Sequence, residues 1–372
     1  MKPTYLPALA RLRAAMSASG AEVMLIDHGE LLAWLTGYTV SETRYRACLV
    51  PTSGEPWMVL RELDEPPCRA VSGLQQVETF SDHEDPWQAV AQSLINRGLA
   101  NARLGFDPAS YGMTLQSWQR LNRLLPQVSW VAMEGSSDAL RQVKFDYELQ
   151  ALSAAAAIAD DAMRCIGEQT AHGWRIRDVA ALAAAGFLRL GADSGETGPV
   201  IAAGGDHGFL HASDHDHSLT AGDILHVELI PKVRHYSARL MRPFVLGKAD
   251  ARQQQVAAQL IALQDAQLAA MRPGAVACEV DAIVREGVLV AGLRQRYDNV
   301  TGYALGLYAR TPRPSDFSYC FQPQARWLLE ENMVFHMYIS AQSLAFSETV
   351  VVTPQGGKRL SALPRELGMI MR

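Results

Sequence analysis

Cysteine is scarce in this chain: Cys48, Cys68, Cys165, Cys278 and Cys320 are the five in 372 residues. They are odd in number and none forms a Cys-x-x-Cys pair. That argues against a disulfide framework or a cysteine zinc site and makes a reducing cytoplasm the expected compartment. Long apolar runs are missing too. The opening MKPTYLPALARLRAAMSASG lacks the apolar core of a secretion signal, and no stretch approaches membrane-spanning length. Nor is there an excess of charge of one sign. A net charge of −5, a pI near 6.1 and the absence of a basic block argue against nucleic acid or an anionic membrane as partner. No short-period repeat occurs, which excludes a solenoid. What remains is 48% hydrophobic and 20% charged, the range of a globular protein, and long enough for two cores.

The first third alternates helix-like and strand-like pieces. Leu6, Leu9, Leu12 and Met16 recur at helical spacing and Gly20 follows as a stop. EVMLID reads as a buried strand, RYRACLVPTSGEPWMVL as two strands around a turn, PWQAVAQSLINRGL as an amphipathic helix and ARLGFD as a strand. This predicts an α/β domain over 1–137. From 138 to 372 an α+β layout is expected. One long helical segment runs from Ser136 to Gly173, with serines as N-cap and the glycine as stop. A second covers RIRDVAALAAAGFLRLGA. Strands then fill about 198–246, followed by two helices and closing strands around MVFHMYI and AFSETVVVT.

The densest group of metal-type donors is HASDHDH, His211 to His217, with three histidines and two aspartates. Its meaning depends on the motifs around it. LRQVKFDYELQALSAAAAIADDA, LTAGDILHVELIPKVRHYSARLMRPFVLG, TGYALGL, LEENMVFHMYI and FSETVVVTPQGGKRLSALPREL follow one another, with AWLTGY nearer the N-terminus. This succession resembles the creatinase/aminopeptidase superfamily over nearly the full length. The resemblance implies a pita-bread catalytic domain preceded by a smaller α/β domain, and a homodimer whose N-terminal domain reaches the partner's active site.

Metallopeptidases of that superfamily hold two metal ions with two Asp, one His and two Glu. At the matching positions this chain has Glu228, Arg239, Tyr303, Tyr338 and Ser347. One acidic ligand is left and a cation has entered, so no metal and no other cofactor is expected. The cadence of these motifs is most like the metal-free branch with ectoine hydrolase and creatinase, which open a cyclic amidine and a guanidino C–N bond. The resemblance therefore implies a metal-independent C–N hydrolase of a small polar or zwitterionic molecule. Two alternatives stand beside it: an Xaa-Pro dipeptidase-like metallopeptidase, and a non-catalytic pita-bread binding protein. Creatine is not the expected substrate, since Met241 and Tyr338 stand where the glutamates that grip its guanidinium would be. The insert YARTPRPSDFSYCFQPQARW departs from that of ectoine hydrolases.

Within this frame His211 falls where the superfamily places a proton-handling histidine, and imidazole titrates near neutrality. The remainder of HASDHDH reads as a solvated loop. Alternation in ILHVELI puts Ile224, His226, Glu228 and Ile230 on one face. Glu228 is either a base for the hydrolytic water or the partner of Arg239 in a structural or substrate-orienting pair. Tyr303 and Tyr338 are expected to line the cavity, as is His336 on the face of Tyr338. Tyr236 aligns with a substrate-contacting tyrosine of creatinase. Glu348 is retained but alternates away from Ser347, so it either binds substrate or supports the site from behind. In SETRYRA, Arg44 and Arg46 share a face and either clamp a substrate carboxylate across a dimer interface or form an ordinary strand edge.

Overall fold

The computed structural model describes residues 1–372 except 40, 42, 204–208, 213 and 309–317. Much of the insert after the glycine motif therefore lies outside the described residues. The chain divides into two compact units, Met1–Arg141 and Gln142–Arg372.

In the first unit the elements are α1 (Leu6–Ser19), β1 (Val23–Ile26), α2 (Gly29–Thr36), β2 (Ala47–Pro51), β3 (Trp57–Arg61), α3 (Glu65–Ser72), β4 (Gln76–Phe80), α4 (Pro86–Asn96), β5 (Arg103–Phe106), α5 (Leu115–Leu124), β6 (Ser129–Ala132) and α6 (Ser136–Ala139). The strands form one mixed sheet in the order β4-β3-β2-β1-β5-β6. All four residues of β1 are buried, as a strand without polar alternation requires. β2 and β3 make the antiparallel hairpin read from the sequence. Gly20 closes α1 in the left-handed region at φ 75°, where its amide caps the last turn.

The second unit begins with α7 (Asp146–Gln169) and α8 (Ile176–Leu190), then β7 (Val200–Ala203), β8 (Ile224–Leu229), β9 (Lys232–Val233), β10 (Tyr236–Ser237) and β11 (Leu240–Leu246). After α9 (Ala251–Ala270) and α10 (Ala277–Val290) come β12 (Gly302–Ala304), β13 (Cys320–Phe321), β14 (Val334–Ala341), β15 (Leu344–Thr353), β16 (Gly356–Arg359) and β17 (Gly368–Ile370). The single long helix expected from Ser136 is interrupted. Val143 bridges Met333 and the Lys144 amide donates to the Asn332 carbonyl, which holds this stretch extended. α7 starts only after it, with the Glu148 carboxylate accepting from the Phe145 amide. It ends at Gln169, before Gly173.

The main sheet runs β13-β12-β14-β15-β11-β8-β7, with β16 beside β15 and β17 beside β11. Register assigns its two faces. Leu225, Val227, Leu229, Leu240 and Phe244 pack with Ile158, Ile166, Val179 and Phe187 of α7 and α8. Ile339 and Phe346 pack with Leu260, Val284 and Val288 of α9 and α10. Two helix pairs therefore cover one face in apolar contact, leaving the alternate residues to the other. Phe187 is fully buried in this layer. Phe187→Ala is expected to destabilise the second unit by about 3–5 kcal/mol through the cavity it leaves, read as a lower midpoint in urea unfolding at unchanged slope.

Candidate active site

The face turned away from the helices carries the polar groups. Tyr338 lies opposite Ser347, Ser347 opposite Met241, and Met241 opposite Glu228, making one row across four strands. A neighbouring row holds Tyr303, His336 and Thr349. Residues directly opposite in an antiparallel pair share a face, so four of the five positions that hold metal in the resemblance lie on this surface. The fifth, Arg239, stands two residues before Met241 and joins them.

Arg239 is held from both sides of its backbone. Its amide donates to Thr349 Oγ1 at 2.7 Å, and the same hydroxyl donates to the Arg239 carbonyl at 3.0 Å. The guanidinium Nη1 donates to Tyr303 Oη at 2.6 Å and lies 3.8 Å from Glu228 Oε1. Its carbon stands 5.2 Å from the centre of the Tyr303 ring. Tyr303 Oη is also 2.8 Å from His336 Nδ1, and the His336 ring stacks on Tyr338 at 5.3 Å. One connected cluster thus runs from Glu228 through Arg239 and Tyr303 to His336 and Tyr338.

Burial sets the charge states. Desolvation raises the Glu228 carboxyl above its ordinary range, and the Arg239 charge opposes this only in part. Desolvation, reinforced by Arg239, lowers His336 well below its ordinary value, so it is neutral. Burial pushes the Tyr338 phenol up to about 12. Glu228 and Arg239 are therefore the groups able to meet a substrate with charge, and the rest act as hydrogen-bonding neutrals.

The donor set does not fit a dinuclear metal centre. One carboxylate, a guanidinium, two phenols and a hydroxyl supply too few anionic or imidazole donors, and the Arg239 head occupies space beside the single carboxylate. Among the described residues no group of three or more His, Cys, Asp or Glu is placed to hold an ion. Within HASDHDH two of the donors are engaged locally: Asp216 pairs with Arg177, and His217 with Asp223 at 2.8 Å.

Several expected residues sit elsewhere. Glu348 lies on the helix-covered face, paired at 2.7 Å with Arg242 and also facing Arg359 and Arg365, so it does not line the site. Alternation in β15 is the reason. The Tyr236 hydroxyl donates to Glu148 Oε1 at 3.0 Å in a buried contact, which ties β10 to α7. Arg46 is buried within the first unit, its Nη1 on the Asp27 carbonyl, and is not a projecting clamp. Arg44 is half-buried and donates to the Glu84 carbonyl. His211 is exposed at the end of a 3-10 turn, Phe209–His211, and is not hydrogen-bonded to Glu228. The turn is anchored on the polar face by Phe209, whose ring meets His226 edge-on at 5.1 Å. Thr349 was not anticipated, although its spacing of two from Ser347 already placed it on the same face.

Thr349→Val removes both bonds to the Arg239 backbone. A loss of about 1–3 kcal/mol is expected in chemical denaturation. Glu228→Gln is expected to stabilise the protein at neutral pH. A carboxyl raised on folding contributes stability only below its unfolded value, near pH 4.5, and that contribution is lost as pH rises. The gain in Tm over the unsubstituted chain should therefore grow from pH 4 to pH 7.

Comparison with known proteins agrees with this architecture. Residues 9–143 match the creatinase/prolidase N-terminal domain and residues 150–354 match metallopeptidase family M24. The probable dipeptidase PepE of Mycobacterium bovis is 30% identical over 315 residues, covering 82% of this chain and 80% of that protein. The Xaa-Pro dipeptidase of Pyrococcus furiosus is 28% identical over 234 residues. That match covers 61% of this chain, which spans 65% of the Pyrococcus protein's length. The crystal structure of dipeptidase PepE from Mycobacterium ulcerans superposes with a TM-score of 0.81 at 26% identity, covering 99% of this chain and 98% of that one. The chain belongs to metallopeptidase family M24, with a creatinase/prolidase N-terminal domain followed by the family's pita-bread fold.

Proposed function

We propose that this chain hydrolyses a C–N bond in a small polar or zwitterionic molecule without a dinuclear metal centre, as creatinase and ectoine hydrolase do. The observation that carries this reading is the Arg239 head, 3.8 Å from Glu228 and bonded to Tyr303 among the former ligand positions. A fixed cation there supplies charge to a bound carboxylate or to a developing oxyanion, which is part of what a metal would contribute. Glu228, a carboxylate of raised proton affinity, takes a proton from water as the water oxygen attacks the carbonyl or amidine carbon. The C–N bond then breaks and the leaving nitrogen takes a proton from an acid, the role proposed for His211. Tyr303, Tyr338 and His336 orient the substrate. The homodimer implied by the resemblance belongs to the same proposal, with Arg44 as the residue that would reach the partner's site.

A second reading has a specific observation in its favour: the named relatives are dipeptidases and Xaa-Pro dipeptidases. On that reading the scissile bond is a peptide bond and a metal ion participates. A screen over cyclic amidines, guanidino acids, N-acyl diamino acids and Xaa-Pro dipeptides, with metal analysis of protein purified without chelator, separates the two. Turnover that survives chelation and falls about 10²–10⁴-fold in Glu228→Gln and His211→Ala is expected. Stoichiometric Mn, Co or Zn with activity abolished by chelator would establish the metallopeptidase instead. Full activity in both variants would sink the assignment of base and acid.

A further inference from the structure

His226 is the least explained polar side chain on the active-site face. It stands two residues from Glu228 on β8 and opposite Pro243 and Ile201 in the neighbouring strands. Among the described residues, the ring of Phe209 also stands against it, edge-on. The residue is fully buried, and neither ring nitrogen has a hydrogen-bond partner among the described residues. Burial holds its pKa at about 3, so the ring is neutral with one N–H donor and one bare nitrogen acceptor. A buried unpaired polar group is costly, and native structures rarely keep one without a use. A leucine of similar size would fill the same space at less cost.

We propose that His226 is a substrate-binding residue that takes an uncharged hydrogen-bonding group, such as an amide, on the far side of the scissile bond from a carboxylate held at Arg239. The inference rests on the reading of Glu228 and Arg239 given above. Its geometry is that of the strand. His226 lies about 6.6 Å further along β8 than Glu228, at about 3.3 Å per residue. The guanidinium of Arg239 lies on Glu228 itself. A ligand reaching both therefore has its carboxylate and its second polar group separated by about two residues of extended chain. Ile201, Pro243 and Phe209, its described neighbours, carry no charge, and burial alone lowers the ring's proton affinity, which favours an uncharged group over an ammonium or a second carboxylate. The substrate class narrows to a molecule with hydrogen-bonding groups on both sides of the bond that is cut.

The test is calorimetric titration of the full chain with two probes, proline, which offers the carboxylate alone, and N-acetylalanylproline, which adds the amides. The unsubstituted chain is expected to bind the acetylated probe more tightly. His226→Leu should weaken that probe about tenfold, leave proline unchanged, and keep or raise Tm. His226→Asn, which retains a donor and an acceptor, should recover most of the loss. Unchanged affinity for both probes in His226→Leu would overturn the inference, as would a lower Tm with both affinities reduced, since His226 would then serve packing. If the unsubstituted chain binds proline but gains nothing from the acetylalanyl group, only the role of His226 fails. If it does not bind proline at all, the Arg239 reading fails and this inference with it.

Discussion

The Arg239 guanidinium, set between Glu228 and the Tyr303 hydroxyl, is the interaction on which the rest of the site depends. A cation and a carboxylate at this separation attract by about 4 kcal/mol at an effective dielectric of about 20. Taking both from water costs several kcal/mol per ion. Desolvation of two ions outweighs this attraction, in line with the raised Glu228 carboxyl, so the pair does not stabilise the fold. Everything around it fixes one position: Thr349 grips the backbone, Tyr303 takes the head, and His336 holds Tyr303.

The sheet makes this arrangement possible by separating tasks between its faces. Helix pairs α7–α8 and α9–α10 bury the apolar set, and the same face absorbs Glu348 into three arginines. Because the period of a strand is two, every other residue is left for chemistry. Neighbours in sequence therefore have unrelated roles: Ser347 faces the site, while Glu348 is locked behind it. The family fold is retained and the ligand positions hold different side chains, so membership and chemistry have to be argued separately.

Much of the fold was legible from pattern alone. The apolar run in EVMLID, the hairpin around Thr-Ser-Gly-Glu and the alternation in ILHVELI correspond to β1, β2–β3 and β8. Local sequence carries these because side-chain periodicity and turn chemistry act within a few residues. The break between α6 and α7 was not legible. Leu140 to Phe145 reads as helix, but pairing with Met333 and Asn332, distant in sequence, overrides that propensity. The commitments of Tyr236 to Glu148 and of Arg46 to Asp27 were hidden for the same reason.

The sequence by itself determined which residues share a face and which side chains stand at the positions the resemblance matches to metal ligands. Those follow from strand period and motif order. Only the tertiary structure decided that Arg239 reaches Glu228 and Tyr303 together, that Thr349 pins it, and that His226 is buried beside them without a partner among the described residues. These depend on register between strands far apart in the chain, and register is set by packing of the whole sheet against its helices.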